Sequence, residues 1–193
     1  MMQAVASDKR KRGKTSAAYA EHLLDLFGEI LHRTITIRPL DGLPVKVTPS
    51  LAQTMQYLHQ HGVCSVREIA RGLTITYSAA SQLTDRLVRR GLASRSENQT
   101  DRRISEIRLT DGGVRLVERI RLSRIEGLSR ILRAMKTDDR AAFIGHLESF
   151  IRSAIEDAHG ALESCSHCGS DHLPECVVNE VYRTATGKQI NEI

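Results

Sequence analysis

The sequence predicts a mainly α-helical fold with a small β-hairpin wing, arranged as a winged helix-turn-helix joined to longer flanking helices. Three observations predict it. Apolar residues recur at helical spacing along most of the chain. Three short helical segments follow one another with tight turns at Gly62 and Gly72. After Gly91, the helical spacing changes to a strand-like alternation on either side of a charged tip, as in a two-stranded hairpin.

The segments before the predicted helix-turn-helix are a basic arm, one helix and a linker. Residues 1–15 hold Lys9, Arg10, Lys11, Arg12 and Lys14, which predicts a disordered, solvated arm. Helical periodicity runs from 16 to about 33. The following "TITIRPLDGLPVK" contains two prolines and a glycine, which favours a linker or an extended segment.

Capping patterns set the predicted helix-turn-helix boundaries. Thr48 and Pro49 are a good helix start, and Gly62 ends that helix. The segment 65–68, "SVRE", has the capping-box form that begins a second short helix. A third helix is predicted from about 76 to 90.

The rest of the chain is predicted as a hairpin, two long helices and a tail. The hairpin has a polar tip from Glu97 to Arg103, and Thr110 caps the first long helix. Thr137 caps the second, with acidic residues in its first turn. The predicted parts are a disordered basic arm (1–15), an N-terminal dimerisation helix and linker (16–46), a winged helix-turn-helix domain (47–110), C-terminal dimerisation helices (111–160) and a Cys/His-rich segment (161–193).

Charge and composition favour duplex DNA as the partner. The net charge is +5, and residues 67–108 hold nine arginines against five acids. Aromatic residues make up only 4%, with no Trp, which disfavours the base stacking used on single strands. We expect no membrane span, no secretory signal and a cytoplasmic location. The chain lacks common nucleotide-binding and hydrolase motifs, so we expect no enzyme activity.

One stretch resembles a known family. Residues 76–113, "TYSAASQLTDRLVRRGLASRSENQTDRRISEIRLTDGG", resemble the recognition helix and wing of MarR transcriptional regulators. The matching features are D-R-L-V-x-R-G-L at the helix end, D-x-R at the wing tip and a closing L-T-x-x-G. With the flanking helices, the resemblance covers roughly residues 16–158.

The resemblance implies a homodimer whose terminal helices interlock. It also implies that two recognition helices lie in successive major grooves of a pseudo-palindromic operator. We expect the regulator to be a repressor. In the wing, it implies that Asp101 orders the tip, Arg103 enters the minor groove and Arg102 contacts phosphate. Family members often bind a small-molecule effector between the two modules.

The residues of the third helix support the same function. If Ala79, Leu83 and Leu87 face the core, the opposite face carries polar side chains including Asp85. Gln and Arg are the side chains that bond purine edges in the major groove. Arg95 and Lys14 are further phosphate candidates. The candidate DNA-binding residues are Ser78, Ser81, Gln82, Arg86, Arg89, Arg95, Asp101, Arg102 and Arg103.

The C-terminal cysteines predict a metal site beyond the family pattern. Cys165, Cys168, His172 and Cys176 have the spacing C-x2-C-x3-H-x3-C, and three thiolates with one imidazole form a closed Zn²⁺ shell. A [4Fe–4S] or [2Fe–2S] cluster on the same thiolates is the alternative, and reduced thiols without metal are the third. Cys64 is interpreted as a small buried residue, with a redox-sensing thiol as the alternative.

A second function remains open from the sequence. The chain could be a metal-stabilised protein–protein interaction module without specific DNA binding. Charge reversal at Arg86 and Arg103 separates the two hypotheses, because only a DNA-binding protein would lose its target.

Overall fold

The computed structural model describes residues 16–97, 105–168, 173 and 175–190. Within these residues the chain forms eight α-helices and a three-stranded antiparallel sheet. The helices are α1 (Ala17–Leu31), α2 (Pro49–His61), α3 (Val66–Gly72), α4 (Tyr77–Arg89), α5 (Asp111–Ala134), α6 (Thr137–Ala154), α7 (Ala158–Cys168) and α8 (Val177–Thr186). The strands are β1 (Cys64–Ser65), β2 (Ala93–Glu97) and β3 (Ser105–Leu109). None of the described helices is both long enough and apolar enough to cross a membrane.

The linker prediction after α1 is wrong for its first half. A π-helical stretch, His32–Ile37, and a 3₁₀ turn, Arg38–Leu40, continue the chain helically. Thr34 in this stretch is buried, and a Cβ added at Gly127 of α5 would lie 3.1 Å from its methyl group. This contact with a helix far away in sequence stabilises the helical conformation of a segment that its local sequence predicts to be extended.

The capping predictions in the helix-turn-helix are confirmed. The Leu51 amide donates to the Thr48 hydroxyl at 3.3 Å at the start of α2. At α3, the Ser65 amide donates to the Glu68 carboxylate at 2.7 Å while the Glu68 amide donates to the Ser65 hydroxyl at 3.2 Å. Helix α4 begins close to its predicted start and has a cap that was not predicted, since the Ala79 amide donates to the Thr76 hydroxyl at 3.2 Å. Each cap satisfies an otherwise unpaired first-turn amide.

The wing is a β2–β3 hairpin, as predicted, with one strand that the sequence did not reveal. The register runs from Ala93 opposite Leu109 to Glu97 opposite Ser105. The two-residue β1 pairs with the other edge of β3, which places β3 in the centre. A strand this short has too few residues to show alternation. Of the predicted tip, Glu97 is the last residue of β2, and residues 98–103 lie outside the described residues.

One core joins the helix-turn-helix, the sheet and the first half of α5. Its fully buried side chains include Leu51 and Met55 of α2, Ile69 of α3, Leu87 of α4 and Ile107 of β3. Leu116, Val117 and Ile120 connect α5 to this core. The winged helix and the first half of α5 therefore share one core, which fixes the position of α5 against the domain.

The C-terminal segment folds into a helical hairpin. Helix α7 begins at Ala158 and so crosses the predicted boundary at residue 160. Ala161 of α7 and Val178 and Tyr182 of α8 form a small second core. Arg152 of α6 donates to the Glu180 carboxylate at 2.6 Å. Helix α6 does begin at Thr137, but its N-cap is Lys136 without a side-chain bond, so the predicted Thr137 cap is wrong.

Candidate nucleic-acid interface

Helix α4 presents a polar face to solvent. Gln82, Arg86 and Arg89, together with Ser78, are exposed, and their spacing of three and four residues puts them on one side. Among the described residues, neither Arg86 nor Arg89 has an ion-pair partner. Their guanidinium groups are therefore available to an external acceptor. We call Ser78, Gln82, Arg86 and Arg89 the reading face.

The opposite side of α4 is buried along a line shifted from the predicted one. Ala80, Thr84 and Leu87 are buried, whereas Ala79 and Leu83 are only half-buried. The sequence missed Thr84 because a hydroxyl is not expected in a core. Its hydroxyl donates to the carbonyl of Ser81 at 2.9 Å, which satisfies the polar atom inside the helix. Ser81, a predicted DNA contact, is half-buried.

The end of α4 fixes where the wing leaves the helix. Gly91 has φ +67°, a left-handed conformation that favours glycine and turns the chain sharply. The Leu92 amide then donates to the Leu87 carbonyl at 3.0 Å. Thr110 closes the wing base, since its hydroxyl donates to the Gly91 carbonyl at 2.7 Å. The wing therefore starts directly beside the C-terminal end of the reading face.

Arg95, a predicted phosphate contact, is joined to α4. Its guanidinium lies 2.8 Å from the Asp85 carboxylate and donates to the Thr84 hydroxyl at 3.4 Å. Its phosphate contact stays a prediction. Asp101, Arg102 and Arg103 lie outside the described residues.

Comparisons with known proteins identify the family. A model of the MarR family matches residues 47–105. The HTH-type transcriptional repressor MdtR of Bacillus subtilis (strain 168) is 30% identical over 110 residues, which span 57% of this chain and 70% of MdtR. The chain belongs to the MarR family.

Solved structures share the fold. The YusO protein from Bacillus subtilis superposes with a TM-score of 0.59 at 26% identity, covering 72% of this chain and 99% of YusO. A mutant of MepR from S. aureus, bound to oligodeoxyribonucleotide, gives a TM-score of 0.56 at 22% identity, covering 70% of this chain and 97% of MepR. Since both are covered almost completely, a substantial part of this MarR-family protein has no counterpart in them.

A cavity of about 410 Å³ lies between α2, the linker after α1 and α5 of this MarR-family protein. Leu40, Val117 and Ile120 give it apolar walls, and polar groups include Gln53, Gln56 and Arg124. Cys168, the last residue of α7, also lines it. The cavity can hold a small amphipathic molecule, and Arg124 provides a cation for an acidic group.

Three of the predicted metal ligands, Cys165, Cys168 and Cys176, belong to the C-terminal hairpin, but within the part of the chain that the structure describes they are not grouped as a metal site. Burial raises the pKa of the Cys165 thiol, and the neighbouring thiols of Cys168 and Cys176 raise it further. Thiolate sulfurs are the donors that a soft cation prefers. Among the described residues, no three His, Cys, Asp or Glu side chains come together at metal-binding spacing. His172, the fourth predicted ligand, lies outside those residues.

The fourth cysteine has a different environment. Cys64 is buried, and burial followed by the charge of Glu68 raises the pKa of its thiol to about 11. Such a thiol is protonated at neutral pH and therefore a poor nucleophile. The geometry favours the small-buried-residue interpretation over the redox sensor.

Proposed function

We propose that this protein is a homodimeric transcriptional repressor that binds a pseudo-palindromic operator in double-stranded DNA. The observation that carries the proposal is the reading face of α4, exposed beside the base of the wing. A helix of this kind enters the major groove, and its exposed side chains read base edges. Arg86 suits the paired acceptors of guanine, and Gln82 suits adenine.

The wing contributes a second contact in this proposal. Arg103 enters the adjacent minor groove, where negative potential attracts arginine, while Arg102 contacts phosphate and Asp101 orders the tip. Family membership and the position of the wing base beside α4 support this assignment. Two relatives support the function itself, since MdtR is named a transcriptional repressor and MepR was solved with an oligodeoxyribonucleotide. An interaction module without specific DNA binding is not favoured by these relatives.

A second copy of the chain is the proposed partner for the exposed apolar surface. Leu122 and Ile125 of α5 and Phe150 of α6 are more than half exposed. Phe27 of α1 contacts Phe143 of α6 edge to face at 6.1 Å, so the apolar faces of these helices adjoin. Apolar surface of this extent is typical of an interface. The α1 contributors are Leu23, Leu24, Leu26 and Ile30.

A small organic acid is the proposed effector, bound in the cavity between the winged helix and the dimerisation helices. The combination of apolar walls with Arg124 and glutamine side chains supports this class of ligand. Occupancy would change the angle between the two modules and with it the spacing of the recognition helices.

Zinc is the proposed metal of the C-terminal hairpin, held by Cys165, Cys168, Cys176 and His172, with an iron–sulfur cluster as the alternative. The C-x2-C-x3-H-x3-C spacing of these residues in the sequence supports it. When bound, zinc would crosslink the two ends of the hairpin and stabilise its small core. Because Cys168 also lines the cavity, the metal would lie next to the effector.

Selection of duplexes from a random oligonucleotide pool tests DNA binding. We expect a two-fold-related sequence whose affinity falls steeply with salt, because phosphate contacts release counterions. Arg86→Glu should abolish selective binding. Arg133→Glu, the same charge change at the exposed far end of α5, should retain it. Equal binding by both variants would overturn the assignment of the reading face.

Anaerobic purification followed by elemental analysis and a visible spectrum tests the metal. About one zinc per chain in a colourless protein supports zinc, whereas brown protein with iron and sulfide supports the cluster. Cys165→Ser should lose the metal, and Cys64→Ala should keep it. Protein without zinc or iron after this purification would contradict the metal proposal.

A further inference from the structure

Within the part of the wing that the structure describes, an ion pair joins strand β2 to the recognition helix halfway along the strand. Arg95 is the third residue of that strand, and its guanidinium lies 2.8 Å from the carboxylate of Asp85 on α4. The same nitrogen donates to the hydroxyl of Thr84 at 3.4 Å. Thr84 is fully buried, so Arg95 is joined to a part of α4 that is fixed in the core.

Strand register explains why Arg95 turns back toward the helix. In the antiparallel pair, Arg95 lies directly opposite Ile107. Directly opposed residues extend to the same side of a sheet, and Ile107 is fully buried. The Arg95 side chain therefore starts on the core side of the wing, and α4 packs on that side.

The carboxylate of Asp85 is unexpected on a surface that binds DNA. It lies three residues from Gln82 and four from Arg89, next to both on the helix surface. A carboxylate there repels phosphate, which opposes binding unless the carboxylate has another role. Its contact with Arg95 provides that role.

We propose that Arg95 is a positioning residue for DNA binding, which acts through Asp85 to hold the wing at a fixed angle to the reading face. The two elements contact adjacent grooves together, so a wing fixed in advance avoids an ordering cost on binding. An exposed ion pair contributes little to folding, so its loss affects the angle of the wing more than the fold. This inference rests on the proposed DNA binding.

The test is the affinity of Asp85→Asn for a duplex selected by the wild-type protein, measured over a range of salt concentrations. We expect binding about 3- to 10-fold weaker than wild type, although the change removes a negative charge from the DNA-facing surface. Arg95→Ala should weaken binding to a similar extent, and the double variant should be no weaker than either single variant, since both break one contact.

Glu97→Gln provides the matched control. It makes the same charge change on β2, two residues from Arg95, and no ion pair among the described residues joins Glu97 to α4. It should bind DNA at least as tightly as wild type. Circular dichroism of each variant confirms that the fold is retained.

A direct phosphate contact by Arg95 gives the opposite pattern and would overturn the inference. Asp85→Asn would then bind more tightly, and Arg95→Ala alone would reduce the salt slope by about one. If wild-type protein selects no duplex, the proposed function fails as well. If wild type binds and Asp85→Asn binds equally well, only the positioning role fails.

Discussion

The winged helix and the C-terminal hairpin are stabilised in different ways. Seventeen buried apolar residues, from Val47 to Ile120, form the winged-helix core, whereas three form the core of the hairpin among the described residues. In the larger core, apolar burial is the main source of stability. A unit with three buried residues needs a further contact or a bound metal.

The two regions also differ in whether known relatives match them. The family match at residues 47–105 lies within the winged-helix domain. The hairpin, which starts at Ala158, contains Cys165, Cys168 and Cys176 and lies well beyond this match. The family match therefore covers the winged helix and not the hairpin, and the variants below test whether the two regions are also stabilised separately.

The largest expected effect is a cavity in the winged-helix core. Ile69 is fully buried, and Ile69→Ala should lower the free energy of unfolding by about 2–5 kcal/mol. Urea denaturation at fixed protein concentration measures the loss. Tyr182→Ala in the hairpin should instead increase hydrogen exchange only in α7 and α8. Equal global destabilisation by both variants would contradict the division.

The next largest effect is expected at the contact between the wing base and α5. A Cβ on Gly113 would lie 2.1 Å from the carbonyl oxygen of Leu92, so Gly113→Ala should cost about 1–3 kcal/mol. Gly112→Ala is the control, because its nearest neighbour outside the helix backbone is 3.6 Å away. It should be neutral or slightly stabilising in a chemical denaturation series. A neutral Gly113→Ala would show that the base of the wing can move.

The capping box of α3 should have an intermediate effect. Ser65→Ala should cost about 1 kcal/mol of unfolding free energy. Hydrogen bonds from the Ser65 amide, then from its hydroxyl, lower the pKa of Glu68. The stabilisation is therefore full above the unfolded pKa of Glu68 and is lost as pH falls through the folded value. Wild type and Glu68→Gln should converge in stability in acid, which denaturation at several pH values measures. A gap that widens in acid would contradict this sign.

The smallest effect is expected at the ion pair between α6 and the hairpin. Arg152 and Glu180 are substantially exposed, so Arg152→Gln should leave the thermal unfolding midpoint unchanged at physiological salt. Differential scanning fluorimetry with and without added zinc measures it. A large fall in the midpoint would mean that this contact, rather than apolar burial or metal, fixes the hairpin.

Much of the winged helix was predictable because its signals are local. Thr48, Ser65 and Thr110 each cap the helix that the sequence assigned to them. A cap involves residues three apart, so its geometry depends little on the rest of the chain. The reading face was predictable for a similar reason, since helical spacing alone puts its four side chains on one side.

Other features depended on contacts far apart in sequence. The helical stretch after α1 packs against Gly127, and β1 exists only because β3 lies beside it. The hairpin helices were missed because their apolar positions are few and interrupted by polar residues. Within the candidate site, the sequence identified Arg95 as a cation near DNA but could not give its partner.

The sequence by itself determined the family, the helix starts and the residues of the reading face, because caps and periodicity act over a few residues. Only the tertiary structure decided that Arg95 pairs with Asp85 and that Cys168 lines the cavity between the modules. Both contacts depend on where a strand or helix end comes to lie against a distant element. Packing of the whole core sets those positions, and a local pattern contains no information about them.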